Sequence, residues 1–351
     1  MRIGVLCPSD IAIRRFMPAL AQINNVEFAG VGVNSTQERY GTVVPIKEEA
    51  KAMLESEREK ARAFINSYGG TLYNSYSEII ADEQIDAIYI PLPPALHYYW
   101  AREALNHGKH VLVEKPATIA LKDTDDLVKI AREKQLAIHE NYMFIYHNQL
   151  DAIDKIVQSG EIGEVRLYRL AFGFPKRAVN DFRYNKKLGG GALIDAGGYT
   201  IKYATKLLGE NVEINCARLN YIDEFDVDVY GSATLTNAKG LTAQIAFGMD
   251  NDYKCELEIW GSKGTMRTGR VFTAPVGYIP SVMIKKNTDT EERALPTDDA
   301  FRKSIEQFIL ATEDHVIRTN DYEKIVMQAK LVDRFMELTE NDRKKDNSAG
   351  I

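Results

Sequence analysis

Two stretches hold residues whose types and spacing suit chemistry. In the first, Val113-Glu114-Lys115-Pro116 closes the apolar run His110–Val113 and sets a lysine directly after a strand. In parallel sheets, ligands bind at the carboxyl ends of the strands. A lysine there is either a surface residue at a loop start or a cationic donor to a substrate oxygen. In the second role it supplies a proton as a carbonyl is reduced. Pro116 fixes the turn and keeps Lys115 on a rigid loop. In the second stretch, Gly189-Gly190-Gly191 opens a helical pattern that carries Asp195 and Tyr199. Glycines let backbone and ligand approach closely. Asp195 and Tyr199 stand four apart, on one helical face, where a carboxylate and a phenol can both meet the hydroxyls of a sugar. A polar pair at that spacing can equally serve only the helix itself.

The chain's first strand turns into a helix through Leu6-Cys7-Pro8-Ser9-Asp10-Ile11-Ala12. A helix N-terminus after a strand offers free N–H groups and a positive dipole end to a pyrophosphate. The glycine fingerprint of such turns is absent. Pro8 lacks an N–H, while Cys7 is small and the Ser9 hydroxyl replaces a donor. Ser9 or Asp10 serves equally well as a plain helix cap. The second strand ends before Asn34-Ser35-Thr36 without the acid that binds ribose hydroxyls in NAD enzymes; Glu38 and Arg39 lie further on. Neutral donors tolerate a 2′-phosphate, so the expected cofactor is NADP, with NAD admitted. Arg183, near Lys176 and Arg177, is a candidate for a substrate diphosphate, because guanidinium holds phosphate bidentately. Lys176 and Arg177 read more simply as a solvated loop.

The elements that position these residues fall into two patterns. Apolar runs at Ile3–Leu6, Val26–Val33, Asp86–Ile90 and His110–Val113 alternate with helical patterns, among them Ala95–Asn106 and Leu121–Lys134. This predicts a doubly wound parallel sheet buried on both faces. Lys47–Ser67 reads as a long charged helix with a single docking stripe. Beyond about residue 150, runs at Val165–Phe174, Val212–Tyr221, Val227–Thr236, Leu241–Gly248 and Tyr253–Trp260 predict a mostly antiparallel sheet. One helix near Ala192–Leu208 and two near Ala300–Ile317 and Tyr322–Leu338 cover it, and the polar tail from Asn341 reads as frayed. The fold class is α/β plus α+β.

Composition excludes other classes. The 351 residues carry a net charge of −6, against a nucleic-acid binder. Three cysteines, Cys7, Cys216 and Cys255, lie far apart, which fits a reducing cytoplasm and predicts neither a disulfide framework nor a metal site. The start enters a strand at once, so no signal peptide is expected, and no apolar stretch is long enough for a membrane helix.

These stretches together resemble the Gfo/Idh/MocA family of sugar and inositol oxidoreductases. The resemblance rests on Gly4 with Asp10-Ile11-Ala12, Pro18-Ala19-Leu20, Pro91-Leu92-Pro93 with Leu96-His97, and Glu114-Lys115-Pro116. It continues through Asn141-Tyr142-Met143-Phe144, Gly160-Glu161-Ile162-Gly163, Gly189–Tyr199 and Gly261-Ser262-Lys263-Gly264. It implies a Rossmann dinucleotide-binding domain over 1–120 and a substrate-binding and oligomerisation α+β domain over 121–351. It further implies a nicotinamide over the first domain's strand ends, and a homodimer or homotetramer through the open face of the second sheet. A narrower likeness is to nucleotide-sugar C-3 ketoreductases, carried by Ile11-Ala12 with Arg14-Arg15, Asp181-Phe182-Arg183-Tyr184, Gly248-Met249 and Arg270–Pro275. It implies reduction of a 3-keto group on a dTDP-linked 6-deoxysugar, with Lys115 and Tyr199 flanking the keto carbon. Asp195, Arg183, Tyr142 and Phe144 would then bind substrate. Cys7, Pro8, Ser9, Asp10, Ile11, Asn34, Ser35, Pro91, Leu92, His97, Glu114 and Lys115 would bind the cofactor, although His97 also reads as a hydrogen-bonded structural residue. Three features depart from the family: Cys7-Pro8-Ser9 in place of glycines, Tyr199 where many members have His, and an apparent insertion over Thr42–Arg58. A dehydrogenase of free sugars and a non-catalytic dinucleotide sensor are the competing readings. Lys115, Asp195 and Tyr199 argue against the sensor, which has no need for proton-transfer groups.

Overall fold

In the computed structural model, residues 1–40, 48–209 and 211–348 are described. The start of the long charged helix and the first part of the apparent insertion, 42–47, lie outside them. The chain forms two compact units. The first comprises Met1–Thr118, Lys122–Asn141 and Phe301–Val326; the second comprises Ile119–Leu121, Tyr142–Ala300 and the chain from Met327 on.

The first unit is built on six parallel strands: β1 (Arg2–Leu6), β2 (Glu27–Gly32), β3 (Thr71–Tyr73), β4 (Ala87–Ile90), β5 (His110–Glu114) and β6 (Ile138–Asn141). Their order is β3-β2-β1-β4-β5-β6. The order reverses between β1 and β4, and a doubly wound sheet opens its ligand crevice at that reversal. β4 and β6 are buried at every residue, as strands with helices on both faces must be. The sheet continues past residue 120 because β6 pairs with β5 and the helix Leu121–Lys134 connects them. β6 is short and mostly polar (Ile-His-Glu-Asn), so no apolar run announces it.

The second unit is an eight-stranded sheet. Its strands are β7 (Val165–Gly173), β8 (Glu213–Tyr221), β9 (Asp228–Thr236), β10 (Thr242–Gly248), β11 (Lys254–Gly261), β12 (Thr265–Thr268), β13 (Ser281–Lys286) and β14 (Asp289–Ala294). The order is β14-β13-β12-β11-β7-β10-β9-β8, antiparallel throughout except for β7 beside β10. Alternation sends Tyr168, Leu170, Ile245, Leu257 and Ile259 into a core covered by the helix Gly198–Leu208. The opposite face is open. There Arg169 donates to Gln244 Oε1 at 3.1 Å and Glu258 Oε1 at 3.0 Å, beside a half-exposed Trp260.

The C-terminal helices differ from the sequence expectation. They run Ala300–Glu313 and His315–Ser348, broken at Asp314 rather than near Ile317, and the second continues through the stretch read as frayed. Asp314 explains the break: its Oδ1 accepts from the N–H groups of Val316 (2.7 Å) and Ile317 (3.2 Å), a cap that starts a new helix.

Gly30 of β2 is a close-approach position, since a Cβ there would lie 2.2 Å from the Thr71 carbonyl oxygen of β3. Gly30→Ala is therefore expected to push β3 aside and cost about 1–3 kcal/mol. Urea unfolding of the variant measures this, and an unchanged midpoint would show that β3 yields freely.

Candidate functional site

In the first unit, the candidate cofactor residues all follow carboxyl ends of the parallel strands. Cys7–Ile11 follow β1, Asn34 and Ser35 follow β2, Pro91 and Leu92 follow β4, and Glu114 and Lys115 close β5. The turn after β1 reaches a glycine-like shape without glycine: Cys7 has φ +74°, the left-handed region. Ser9 Oγ accepts from the Ala12 N–H at 3.3 Å and the Ser9 carbonyl from Ile13. The cap reading of Ser9 is thus realised. The Asp10 and Ile11 N–H groups, in the first turn, have no carbonyl one turn back, which leaves them for an anion. The helix then opens into a π-helical turn over Ala12–Phe16, which no sequence signal foretold. Burial, its largest cause, pushes the Cys7 thiol up to about 12, so the residue is a wall and not a nucleophile. The turn therefore fits a dinucleotide pyrophosphate.

Around Lys115 the loops are pinned. The Lys115–Pro116 peptide is cis. His97 is fully buried between two carbonyl oxygens, with Nδ1 2.7 Å from Pro116 O and Nε2 2.7 Å from Leu92 O. Burial lowers its pKa to about 4. Its structural reading holds, and the two carbonyls it ties belong to the loops after β4 and β5. Glu114 is drawn into the sheet edge. Its Oε1 accepts from Tyr89 OH and from Asn141 Nδ2, each at 2.7 Å, while burial raises its pKa. Asn141 Oδ1 in turn accepts from Ser304 Oγ at 2.8 Å, and His139 spans Ser304 (3.0 Å) and Asp321 (2.9 Å). Glu140 Oε1 accepts from the Ala117 N–H at 3.0 Å, fixing the far side of the lysine turn. The bonds that join this network have no local signature, because its members come from separate strands and from two helices more than 160 residues away.

After β2, Glu38 does not stand free for a ribose. Its carboxylate takes the N–H groups of Ser35, Tyr76 and Ser77; although burial opposes it, those bonds hold its pKa low. A second acid that the sequence reading missed, Glu57 of the helix Glu48–Tyr68, reaches Asn34 instead.

The second unit holds the candidate substrate residues. Gly191 (φ +124°) passes so close to Asp228 that a Cβ would meet its Oδ1 at 2.4 Å. Asp228 Oδ2 accepts from the Leu193 N–H at 2.6 Å, and the glycine stretch then enters a π-helical turn, Leu193–Gly197, that contains Asp195. Asp195 Oδ2 accepts from Arg183 Nε at 2.7 Å, and Asp181 takes Arg183 Nη1 at 3.1 Å. Arg183 is therefore held by two carboxylates. Lys176 pairs with Glu224, and Arg177 lies over the Phe174 ring, which keeps both with the loop. Tyr199 is set in an aromatic cluster, its ring 5.2 Å from Tyr142, 5.5 Å from Phe144 and 5.1 Å from Phe172. The structure brings Tyr142, Phe144 and Tyr199 together, and separately Asp195 with Arg183.

Comparison with known proteins defines the class. Residues 25–142 match the oxidoreductase family with an NAD-binding Rossmann fold, and residues 150–267 match the GFO/IDH/MocA C-terminal domain. The chain belongs to the GFO/IDH/MocA oxidoreductase family. It is 35% identical over 95% of its length, and 94% of the other protein, to dTDP-3,4-didehydro-2,6-dideoxy-alpha-D-glucose 3-reductase of Streptomyces violaceoruber. It is 36% identical to the same reductase of Actinomadura kijaniata, covering 95% of this chain and 94% of that one. The crystal structure of the 3-ketoreductase KijD10 from Actinomadura kijaniata, in complex with NADP and TDP-benzene, superposes with a TM-score of 0.86. It is 34% identical and covers 97% of this chain and 98% of that one.

His97→Ala is expected to remove the ring packed between the Pro116 and Leu92 carbonyls and to leave one of the two without its donor. The cost is about 1–3 kcal/mol of stability, with a lower kcat because the lysine turn loses an anchor. Urea unfolding and steady-state kinetics check it; a variant as stable and as active as wild type would show that the loops hold themselves.

Proposed function

We propose that the chain is an NADP(H)-dependent reductase of the 3-keto group of a nucleotide-linked deoxysugar, with NAD(H) admitted. The observation that carries this reading is Lys115, placed at the carboxyl end of β5 on a turn fixed by His97 and Glu140. The similarity to sugar 3-reductases over nearly the whole chain supports it. The reduced nicotinamide supplies the hydride. Lys115 gives a proton to the carbonyl oxygen as the carbon accepts that hydride, which closes the balance from ketone to alcohol. Asp195, steadied by Arg183, accepts from sugar hydroxyls; Tyr199 orients the substrate oxygen, and Tyr142 and Phe144 give the sugar ring an apolar wall. Cys7–Ile11, Asn34, Ser35, Pro91, Leu92 and Glu114 line the dinucleotide. We place the protein in the cytoplasm and assign a homodimer or homotetramer to the open face of the second sheet, where Trp260 and Met283 are half exposed. Among the described residues no helix is long and apolar enough to cross a membrane.

The reading is tested by following NADPH consumption with a dTDP-linked 3-keto-6-deoxysugar, with free glucose and xylose and NADP as the comparison. Turnover of the free sugars alone would assign a dehydrogenase. Tight NADPH binding without any turnover would assign a sensor.

Lys115→Ala is expected to lower kcat about 10²–10⁴-fold while the cofactor dissociation constant stays within a few-fold. Near-full kcat in this variant removes Lys115 from proton transfer.

The pH profile follows from the groups present. His97, with its pKa near 4, is neutral throughout the neutral range and contributes no limb near pH 6.5. kcat is therefore expected to stay flat over about pH 6–7, and a measured limb there would point to another titrating group. Tyr199→Phe keeps the ring in its cluster and should retain the fold but lose activity. A fully active Tyr199→Phe enzyme with an unchanged profile would make Tyr199 packing alone.

A further inference from the structure

The strand end that faces an adenosine ribose in a doubly wound fold lacks its own acid here, yet a carboxylate is delivered to it from elsewhere. Glu57 projects from the helix Glu48–Tyr68, 23 positions beyond Asn34. Its Oε1 accepts from the Asn34 N–H at 3.3 Å and from Tyr76 OH at 3.4 Å, and its Oε2 from Arg39 Nη1 at 2.5 Å. The position is rigid. Tyr76 is fully buried with its ring edge-on to Trp100 at 5.1 Å, and the helix is docked through Leu54, Ala61 and Phe64, the last packed 5.3 Å from Phe28. The Glu57 side chain keeps 13% exposure and Arg39 keeps 26%, so both still reach solvent at the strand edge. The other nearby acid, Glu38, is fully engaged with backbone N–H groups.

We propose that Glu57 sets the discrimination between NADPH and NADH, a role that rests on the reading of a dinucleotide over these strand ends. The carboxylate accepts from a ribose 2′-hydroxyl and repels a 2′-phosphate. Its pairing with Arg39 makes the local charge close to zero, which holds the preference for NADPH narrow. Removing the carboxylate charge while Arg39 stays leaves a net positive charge where the phosphate lies. Both effects move the ratio of affinities in the same direction.

The test is isothermal titration calorimetry of NADPH and NADH with wild type, Glu57→Gln and Glu59→Gln. Glu59 is exposed on the same helix and controls for the mere loss of one negative charge. In Glu57→Gln the ratio of dissociation constants, NADPH over NADH, is expected to fall about tenfold, as the loss of a close like charge in partly screened surroundings predicts. In Glu59→Gln it should stay within about twofold, because exposed charges are screened. Glu57→Met, which removes the charge along with the hydrogen-bonding oxygens, should shift the ratio in the same direction and serves if the glutamine variant melts early. An unchanged ratio in the Glu57 variants, or an equal shift in Glu59→Gln, overturns the proposal. If neither dinucleotide binds the wild-type protein, the cofactor reading itself fails and takes this role of Glu57 with it. The two failures are thus distinguishable.

Discussion

A buried imidazole between two carbonyls is the constraint on which the Lys115 edge of the first unit depends. A parallel sheet ends in loops whose backbone groups have lost their ladder partners, and buried carbonyls without partners are costly. His97 stands between two such carbonyls, its nitrogens on opposite sides of one rigid ring, and it donates to one of them at a time. In its neutral form the ring has one N–H for two acceptors at equal distance, so the carbonyls of Leu92 and Pro116 compete for a single proton. The loops after β4 and β5 are thereby set at a fixed separation. Lys115 inherits its place from that spacing and from Glu114, whose carboxylate Tyr89 and Asn141 hold on the inner side.

In the second unit the same task falls to carboxylates. Asp228 closes on Gly191 and the Leu193 N–H, so the glycine stretch is clamped before the helix begins. Asp195 then emerges from a π-helical turn and meets Arg183. Both helices that lead away from candidate ligand positions, after Cys7 and after Gly191, contain a π-helical turn, a local widening frequent at functional sites.

What the sequence disclosed and withheld follows from range. Consecutive apolar residues in β1, β2, β4 and β5 report burial on both faces, and that pattern is local. So are the lysine after β5 and the glycines before Asp195. β3 has only three residues and β14 exposes nearly every side chain, so neither has an apolar period to read. Ser304 and Asp321 have no local signature that ties them to Asn141 and His139; only the fold joins them. Arg183 illustrates the same limit. As a residue type it suggests a phosphate, while its surroundings give it two carboxylates.

The outermost strand of the second sheet has a bearing on how copies of the chain can associate. β14 reads Asp289-Thr290-Glu291-Glu292-Arg293-Ala294 and presents carboxylates along a free hydrogen-bonding edge. Glu291 and Glu292 are engaged at the surface by Arg293 and Ser281. Adding a foreign strand there would strip water from those charges, so the edge is a poor template for extension. Continuous ribbons grown strand upon strand are therefore disfavoured at this end of the sheet.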